Sequence, residues 1–319
     1  MTPAAPSPAL PGTRPQGSRD EREAAARVRE MFTRIAPRYD LANHLLSFSL
    51  DRLWRRRTAR YFRSVLQQSG ARVLDLCCGT GDLAFALDRI RSAAIPAGAA
   101  TPPPAPEHSL GGAGFRFDAK SSSGVSEEAR SLGGRSFSSD IKPAPPSRAS
   151  APEDNFGCPP IIGSDFVEPM LMRAREKARS GHRAAEFAAA DALHLPFPDA
   201  SFDLVTSAFG FRNLANYELG LREMARVLKP GGQVGILEFS EPGSGPMAAL
   251  FRFYFRRILP WIGAAISGDR EAYAYLPSSV QKFPSPIELT TLLEKTGFAD
   301  VRASAWNFGS VILHSARRT

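Results

Sequence analysis

The sequence predicts a doubly wound α/β fold with a mostly parallel sheet, preceded by a helical extension and interrupted by a long disordered insertion. Three observations predict it. From Arg72 onward, short apolar runs that read as strands alternate with helical patterns. A glycine turn, Gly79-Thr80-Gly81, joins the first such run to a helix start. Between residues 92 and 160, Pro, Gly and Ser fill 31 of 69 positions, too polar and turn-rich a composition to offset the entropy of ordering it.

Taken in order, residues 1–18 are Pro/Ala/Ser/Gly-rich and are expected to be a disordered tail, leaving one domain over 19–319. Val28, Met31, Phe32 and Ile35 recur at helical spacing, which predicts a helix from about Asp20 that Pro37 ends. The run from His44 to Leu66 reads as a second amphipathic helix. The first strand is Arg72–Leu76. The insertion at about 92–160 lies within the domain, because loop closure over a long segment costs little and the two sides belong together. After it, the PIIGSDF run is the next parallel strand and MLMRAREKA the next helix; EFAAAD and FDLVTSAF are further strands. A helix through LGLREMARVL stops at Lys229-Pro230-Gly231-Gly232, and QVGILEF follows as a strand. An aromatic, arginine-bearing stretch (247–266), a helix near 286–296 and two late strands complete the chain, the last pair as an antiparallel edge.

Composition narrows the function. The chain is 43% hydrophobic, enough for a sizeable core. Three cysteines, two of them adjacent (Cys77, Cys78), argue against a disulfide scaffold and for a reducing cytoplasm. The N-terminus lacks the apolar core of a signal peptide, and no apolar run is long enough to span a membrane. The formal charge is +8, and twelve Arg stand against six Asp or Glu between Arg19 and Arg63. Such a patch suits nucleic acid, an anionic membrane face or an acidic ligand, and charge alone does not choose.

Gly79-x-Gly81-x-x-Ala84 formally matches a dinucleotide fingerprint, which keeps a dehydrogenase open. The fuller pattern, Asp75-x-x-x-Gly79-x-Gly81-Asp82, resembles the first motif of class I methyltransferases, which bind S-adenosylmethionine (SAM). Asp165, at the tip of the second strand, suits a pair of ribose hydroxyls, which a carboxylate accepts together. Asp191-Ala192 follows a strand where that family places an acidic or amide residue at the adenine edge. The cofactor residues expected from this resemblance are Asp75, Gly79, Thr80, Gly81, Asp165, Asp191 and Ala192.

Outside the insertion the chain is similar to the menaquinone/ubiquinone C-methyltransferase family (UbiE/MenG type). The matching segments include VREMFTRIAPRYDLANHLLSFSLDRLWRR, VLDLCCGTGDLA, ADALHLPFPDASFDLVTSAFGFRNL, LREMARVLKPGGQVGILEFSEP and YAYLPSSVQKFPSP. The more specific signatures are Tyr39-Asp40-x-x-Asn43 with Trp54, Gly210-Phe211-Arg212-Asn213, and the E-F-S-x-P of residues 238–242. Ser49 and Asp51 stand where the family usually has Gly and His, Ala208 where it often has Ser, and Phe308-Gly309 where it has Gly-Gly.

The resemblance implies a class I SAM-dependent methyltransferase that methylates a ring carbon of a prenylated hydroquinone, demethylmenaquinol being favoured over a benzoquinol. It implies a catalytic set of Arg212, Asn213, Tyr39, Asp40 and Asn43, with the Arg212 guanidinium stabilising a forming phenolate. Residues 247–266, apolar and aromatic but interrupted by three arginines, are expected either to cover the isoprenoid tail or to dip into the membrane surface, an ordinary amphipathic core helix being the alternative. The protein is expected to be cytoplasmic or peripheral at the inner membrane face, a homodimer stays open and no nucleic-acid partner is expected. No metal site is expected, since His44 and His194 lack partners at ligand spacing. Against an RNA methyltransferase, the exit from the fourth strand reads SAFGFRN, not an Asp/Asn-Pro-Pro-aromatic pattern. A SAM-binding module without catalysis would not keep the substrate signatures.

Overall fold

A computed structural model describes residues 12–15, 17–93, 159–181 and 183–319. Helix α1 (Glu21–Ile35) starts where the Asp20 side chain accepts from the Glu23 amide, and it buries Ala24, Val28, Met31 and Ile35. It runs into a single 3₁₀ turn, Ala36–Arg38, that carries Pro37. The run expected as one helix from His44 to Leu66 is broken. It forms α2 (Tyr39–Leu46), α3 (Leu50–Tyr61) and α4 (Arg63–Leu66). Phe48 and Ser49 take φ of 52° and 58°, a left-handed corner that no right-handed helix accommodates.

The sheet has seven strands: β1 (Val73–Leu76), β2 (Ile161–Asp165), β3 (Ala185–Ala189), β4 (Phe202–Ala208), β5 (Leu228–Phe239), β6 (Phe298–Trp306) and β7 (Val311–Arg318). Their order is β3-β2-β1-β4-β5-β7-β6. The first five are parallel, while β7 inserts antiparallel between β5 and β6. Chain order reverses between β1 and β4, so the crevice at their carboxyl ends is the place for a ligand. The helices between strands are α5 (Asp82–Ser92), α6 (Glu168–Ser180) and α7 (Tyr217–Val227).

Side chains alternate across the strands and build two cores. On one face Leu74, Val205, Val234 and Ile236 meet Leu221, Met224 and Val227 of α7 and Leu289, Leu292 and Leu293 of α11 (Pro286–Lys295). On the other, Val73, Leu204 and Leu237 meet Phe62 and Leu66 and the α5 residues Leu83 and Leu87. A third cluster joins α1 and α2 to the segment after β5: Met31, Ile35 and Leu46 pack with Phe255, Leu259, Tyr273 and Val280. This cap packs with Val167 and Met170, just beyond the end of β2. Arg173 of α6 fastens it by donating to the carbonyls of Ala36 and Pro37 (3.1 and 2.7 Å).

The aromatic stretch 247–266 is helical throughout, as α8 (Pro246–Phe253), a π turn (Tyr254–Ile258) and α9 (Leu259–Ser267). The wide turn sits just before Pro260, whose missing N–H and bulky ring disfavour a regular α turn there. Helix α10 (Arg270–Lys282) was not expected; Asp269 caps it by accepting from the Ala272 amide, and Pro277 lies inside it.

Part of the expected tail is ordered. Thr13 is 2% exposed, its amide donates to the Leu214 carbonyl (2.7 Å), and its hydroxyl shares a hydrogen bond with that of Tyr275 (2.9 Å). Gly12 allows this approach, since a Cβ there would stand 2.1 Å from the carbonyl carbon of Ala215. Residues 1–11 lie outside the described residues. So does nearly all of the expected insertion, whose first residue, Ser92, closes α5.

Candidate active site

Two cavities open at the carboxyl ends of the strands. The first lies over the glycine turn and is lined by Asp75, Cys77, Gly79, Thr80, Asp82, Asp165, Asp191, Ala192 and Asn213, among others. Local backbone builds it. Gly81 has φ of 84°, and a Cβ there would come within 2.8 Å of the Phe187 ring. Cys77 and Phe209, at the ends of β1 and β4, are also left-handed (φ 54° and 60°), and strain of this kind gathers at functional sites.

The acids of this cavity are placed differently. Asp165 holds the turn: its Oδ2 accepts from the Gly79 amide and its Oδ1 from the Val167 amide, both at 2.9 Å. Burial pushes its carboxyl up, against those two amides. Asp75 is 1% exposed and accepts from the Thr206 hydroxyl through Oδ1 (3.1 Å), while Oδ2 has no partner among the described residues. Burial raises its pKa to about 7. Asp191 sits on the rim, its side chain 60% exposed, and caps its own turn by accepting from the Leu193 amide. Four carboxylates and one cation, Arg55, therefore line this cavity. Such a wall favours a cationic ligand and repels a pyrophosphate.

The second cavity has a volume of about 300 Å³ and lies under the cap. Its walls are mainly apolar and aromatic, including Trp54, Phe239, Phe251, Tyr254 and Phe255, with Asn43, Asp51 and Arg212 among the polar residues. Four residues line both: Phe32, Tyr39, Arg55 and Phe209. Any group passing between the cavities crosses this wall.

The expected catalytic residues separate. Tyr39 is in the shared wall and Asn43 in the second cavity, but Asn213 lines the first and accepts from the Tyr275 hydroxyl (3.1 Å). Asp40 lines neither cavity. Its carboxylate accepts from the Thr80 hydroxyl (2.5 Å) and from Lys177 Nζ (3.2 Å), and Lys177 also reaches Asp82 (2.5 Å), so Asp40 ties α2 to the glycine turn. The Arg212 guanidinium lines the second cavity and also bonds the protein through Nε and one Nη. It donates to Glu238 Oε2 (3.0 Å), to Ser279 Oγ (3.3 Å) and to the Phe209 carbonyl, and the pairing with Glu238 outweighs burial to keep it charged. Through these bonds Arg212 ties the loop after β4 to β5 and α10.

His44 does have partners near at hand. His44, Asp51 and Asp82 stand close enough to hold a metal ion, but Asp51 already accepts from Arg55 (2.5 Å) and Ser47 (2.7 Å), and Asp82 from Lys177. Two cations thus already serve these carboxylates. Sequence reasoning missed Arg55, Lys177 and Tyr275. For Arg55 a signal existed: Asp51, Trp54, Arg55 and Thr58 share one helical face, and that face is buried.

Residues 19–100 and 124–318 match the ubiE/COQ5 methyltransferase family. The chain belongs to that family. It is 40% identical over 290 residues to the demethylmenaquinone methyltransferase of Deinococcus radiodurans, covering 91% of this chain and 92% of the relative. Identity to the protein of the same name from Thermus thermophilus is 38%, over 90% of this chain and all of the relative. To the ubiquinone/menaquinone biosynthesis C-methyltransferase UbiE of Geobacter sulfurreducens it is 35%, over 93% and 90%. Among solved structures, a SAM-dependent methyltransferase of Thermotoga maritima superposes with a TM-score of 0.50 at 14% identity, covering 92% of this chain and all of that one. The cyclase SpnF superposes at 0.53 and 15%, covering 97% and 98%. These two likenesses establish the class I, Rossmann-like methyltransferase fold, and the second illustrates that the fold alone does not fix the reaction.

Proposed function

We propose that this ubiE/COQ5 family member methylates a ring carbon of a prenylated hydroquinone with SAM, and that its acceptor is a demethylmenaquinol. The observation that carries the reading is the pair of cavities meeting at one wall, acid-lined on one side and aromatic on the other. The relatives named for demethylmenaquinone give the acceptor its class.

The acid-lined cavity fits SAM by its chemistry. The cofactor carries a sulfonium and an ammonium, and four carboxylates line the cavity, one with a buried, unpartnered oxygen. Asp165, with lone pairs beyond its two amides, would take the ribose hydroxyls, and Asp191 with Ala192 would flank the adenine. When bound, SAM would supply an electrophilic methyl to the ring carbon, with the bonding pair left on sulfur and the ring proton passing to water. The protein aligns and desolvates. Phe209 and Tyr39 stand in the wall between the cavities, and the aromatic walls would take the ring and the first part of its tail.

The tail leads outward to an apolar rim. Phe48 and Phe308 are both more than 70% exposed and line the second cavity, as does Leu250. Phe253 and Trp261 are also exposed, on the helices that carry Arg252, Arg256 and Arg257. No described helix is long and apolar enough to cross a membrane. The rim suits shallow contact with an anionic bilayer, where the acceptor resides. Liposome flotation should capture the protein with anionic vesicles and release it on Phe253→Ser with Trp261→Ser; capture that ignores both lipid charge and these changes contradicts this.

The reaction is tested with methyl-labelled SAM and reduced demethylmenaquinol and benzoquinol analogues side by side. Label in the naphthoquinol ring is expected. Transfer to the benzoquinol alone would overturn the acceptor, and tight SAM binding without transfer to either would overturn the reaction.

A further inference from the structure

We infer that Arg55 is the catalytic cation of the acceptor side, its free guanidinium edge holding the acceptor hydroxyl oxygen as that oxygen ionises. This rests on the quinol-methylation reading. Of the four residues in the wall between the cavities, two are apolar rings and two, Tyr39 and Arg55, are polar; Arg55 is the one cation. Whatever reacts there reacts beside it.

The guanidinium is buried and under-used. Its side chain is 9% exposed, and one Nη donates to Asp51 Oδ2 at 2.5 Å. Asp51 is the hydrogen-bond partner found for it among the described residues, leaving Nε and the other Nη without one. Phe209 lies against one side, its ring centroid 5.4 Å from Cζ. Arg55 lines both cavities, so a ligand oxygen there can accept from its open edge in a charge-assisted hydrogen bond. Arg212 differs in place and use: Nε and one Nη donate to protein oxygens, its backbone amide donates to Glu238, and of the two cavities it lines the second alone. Arg55 is the arginine that lines both.

The step asked of Arg55 is simple. The acceptor O–H bond breaks, the proton passes to water, and the electron pair stays on an oxygen that accepts from the guanidinium. Electron density then reaches the neighbouring ring carbon, which becomes the nucleophile. Arg55 keeps its protons throughout; Asp51 and Asp82 outweigh its burial and hold it charged. Asp51, held down by Arg55 and Ser47 against its own burial, fixes the fork's orientation.

The test uses the full chain with S-adenosylhomocysteine bound, and a prenylated nitrophenol as the probe. Ionisation of the bound phenol is read from its absorbance across pH, with no turnover required. Wild type should ionise the bound probe at a lower pH than in water; Arg55→Lys should keep part of that shift and Arg55→Met should abolish it. Turnover of Arg55→Met should fall about 100- to 1000-fold, the scale of losing one oxyanion donor. Its affinity for S-adenosylhomocysteine should stay within about 3-fold, given that scale. The double variant Asp51→Asn/Arg55→Met removes the stranded carboxylate and repeats the titration should the single variant fold poorly. An unchanged probe titration in both Met variants overturns the assignment. So does a loss of S-adenosylhomocysteine affinity as large as the loss of turnover, which would place Arg55 on the cofactor's carboxylate. Failure of wild type to methylate any prenylated quinol would instead sink the underlying reading, and is scored separately.

Discussion

The two cavities are built from different materials. The acid-lined one is made by strand ends and a glycine turn, and its decisive contacts are local or run between adjacent parallel strands, such as Asp165 to the Gly79 amide. The aromatic one is made by side chains from helices far apart in sequence, α1 to α3 on one side and α8 to α10 on the other. In the function proposed above, backbone geometry would hold a cofactor shared by many enzymes, and side-chain packing on a separate cap would hold the acceptor. The two buried arginines differ in the same way: Arg212 ties α10 to β5, and Arg55 stands in the wall that both cavities share.

That contrast breaks most visibly at Arg212. Arg212→Ala strands Glu238, which is 2% exposed, and should cost about 3–5 kcal/mol of stability, the usual price of orphaning a buried ion. Urea denaturation measures it. A change under about 1 kcal/mol, as for a surface pair, would mean that the pair does not anchor the loop.

Asp75 sharpens the cofactor side. Its folded pKa of about 7 lies above the ordinary carboxylate value, so the folded state holds this proton more tightly than the unfolded chain. Its contribution to stability is full below about pH 4 and is lost as pH rises through about 7, an effect on the order of 4 kcal/mol. Asp75→Asn should therefore lose less stability than wild type between pH 4 and pH 8 in denaturation curves. Parallel curves for the two proteins would show that the carboxyl is not held protonated.

The smallest effect is expected where cap and glycine turn join. Asp40→Asn weakens the links to Lys177 and Thr80 at a half-exposed position, and should cost about 1 kcal/mol in SAM affinity by calorimetry, or some fivefold. Unchanged affinity with a lowered turnover would return Asp40 to the reacting centre.

Much of the acid-lined half was legible in the sequence, because turn chemistry is local. Glycines 79 and 81, Asp82 at a helix start and Asp165 at a strand tip carry their meaning in their neighbours. The other half was not. Nothing near Arg212 in the chain announces Glu238, twenty-six residues on, as its partner. Helix α10 was hidden by Pro277 and by a chain reversal at Gly268, although Asp269 at its start was a readable cap. Arg55 sits among Arg52, Arg56, Arg57 and Arg60, and only the phase set by Trp54 and Thr58 distinguishes the one that turns inward. Composition alone makes the early Pro-rich segment look disordered, because it does not reveal the contacts at Leu214 and Ala215 that receive Gly12 and Thr13.

The most direct test of the central claim is mass spectrometry of the quinol recovered after incubation with SAM carrying a deuterated methyl. The whole label is expected on a ring carbon of the prenylated naphthoquinol, with hydroxyls and tail unlabelled. Label on oxygen, or none on the quinol while SAM is bound, would contradict it.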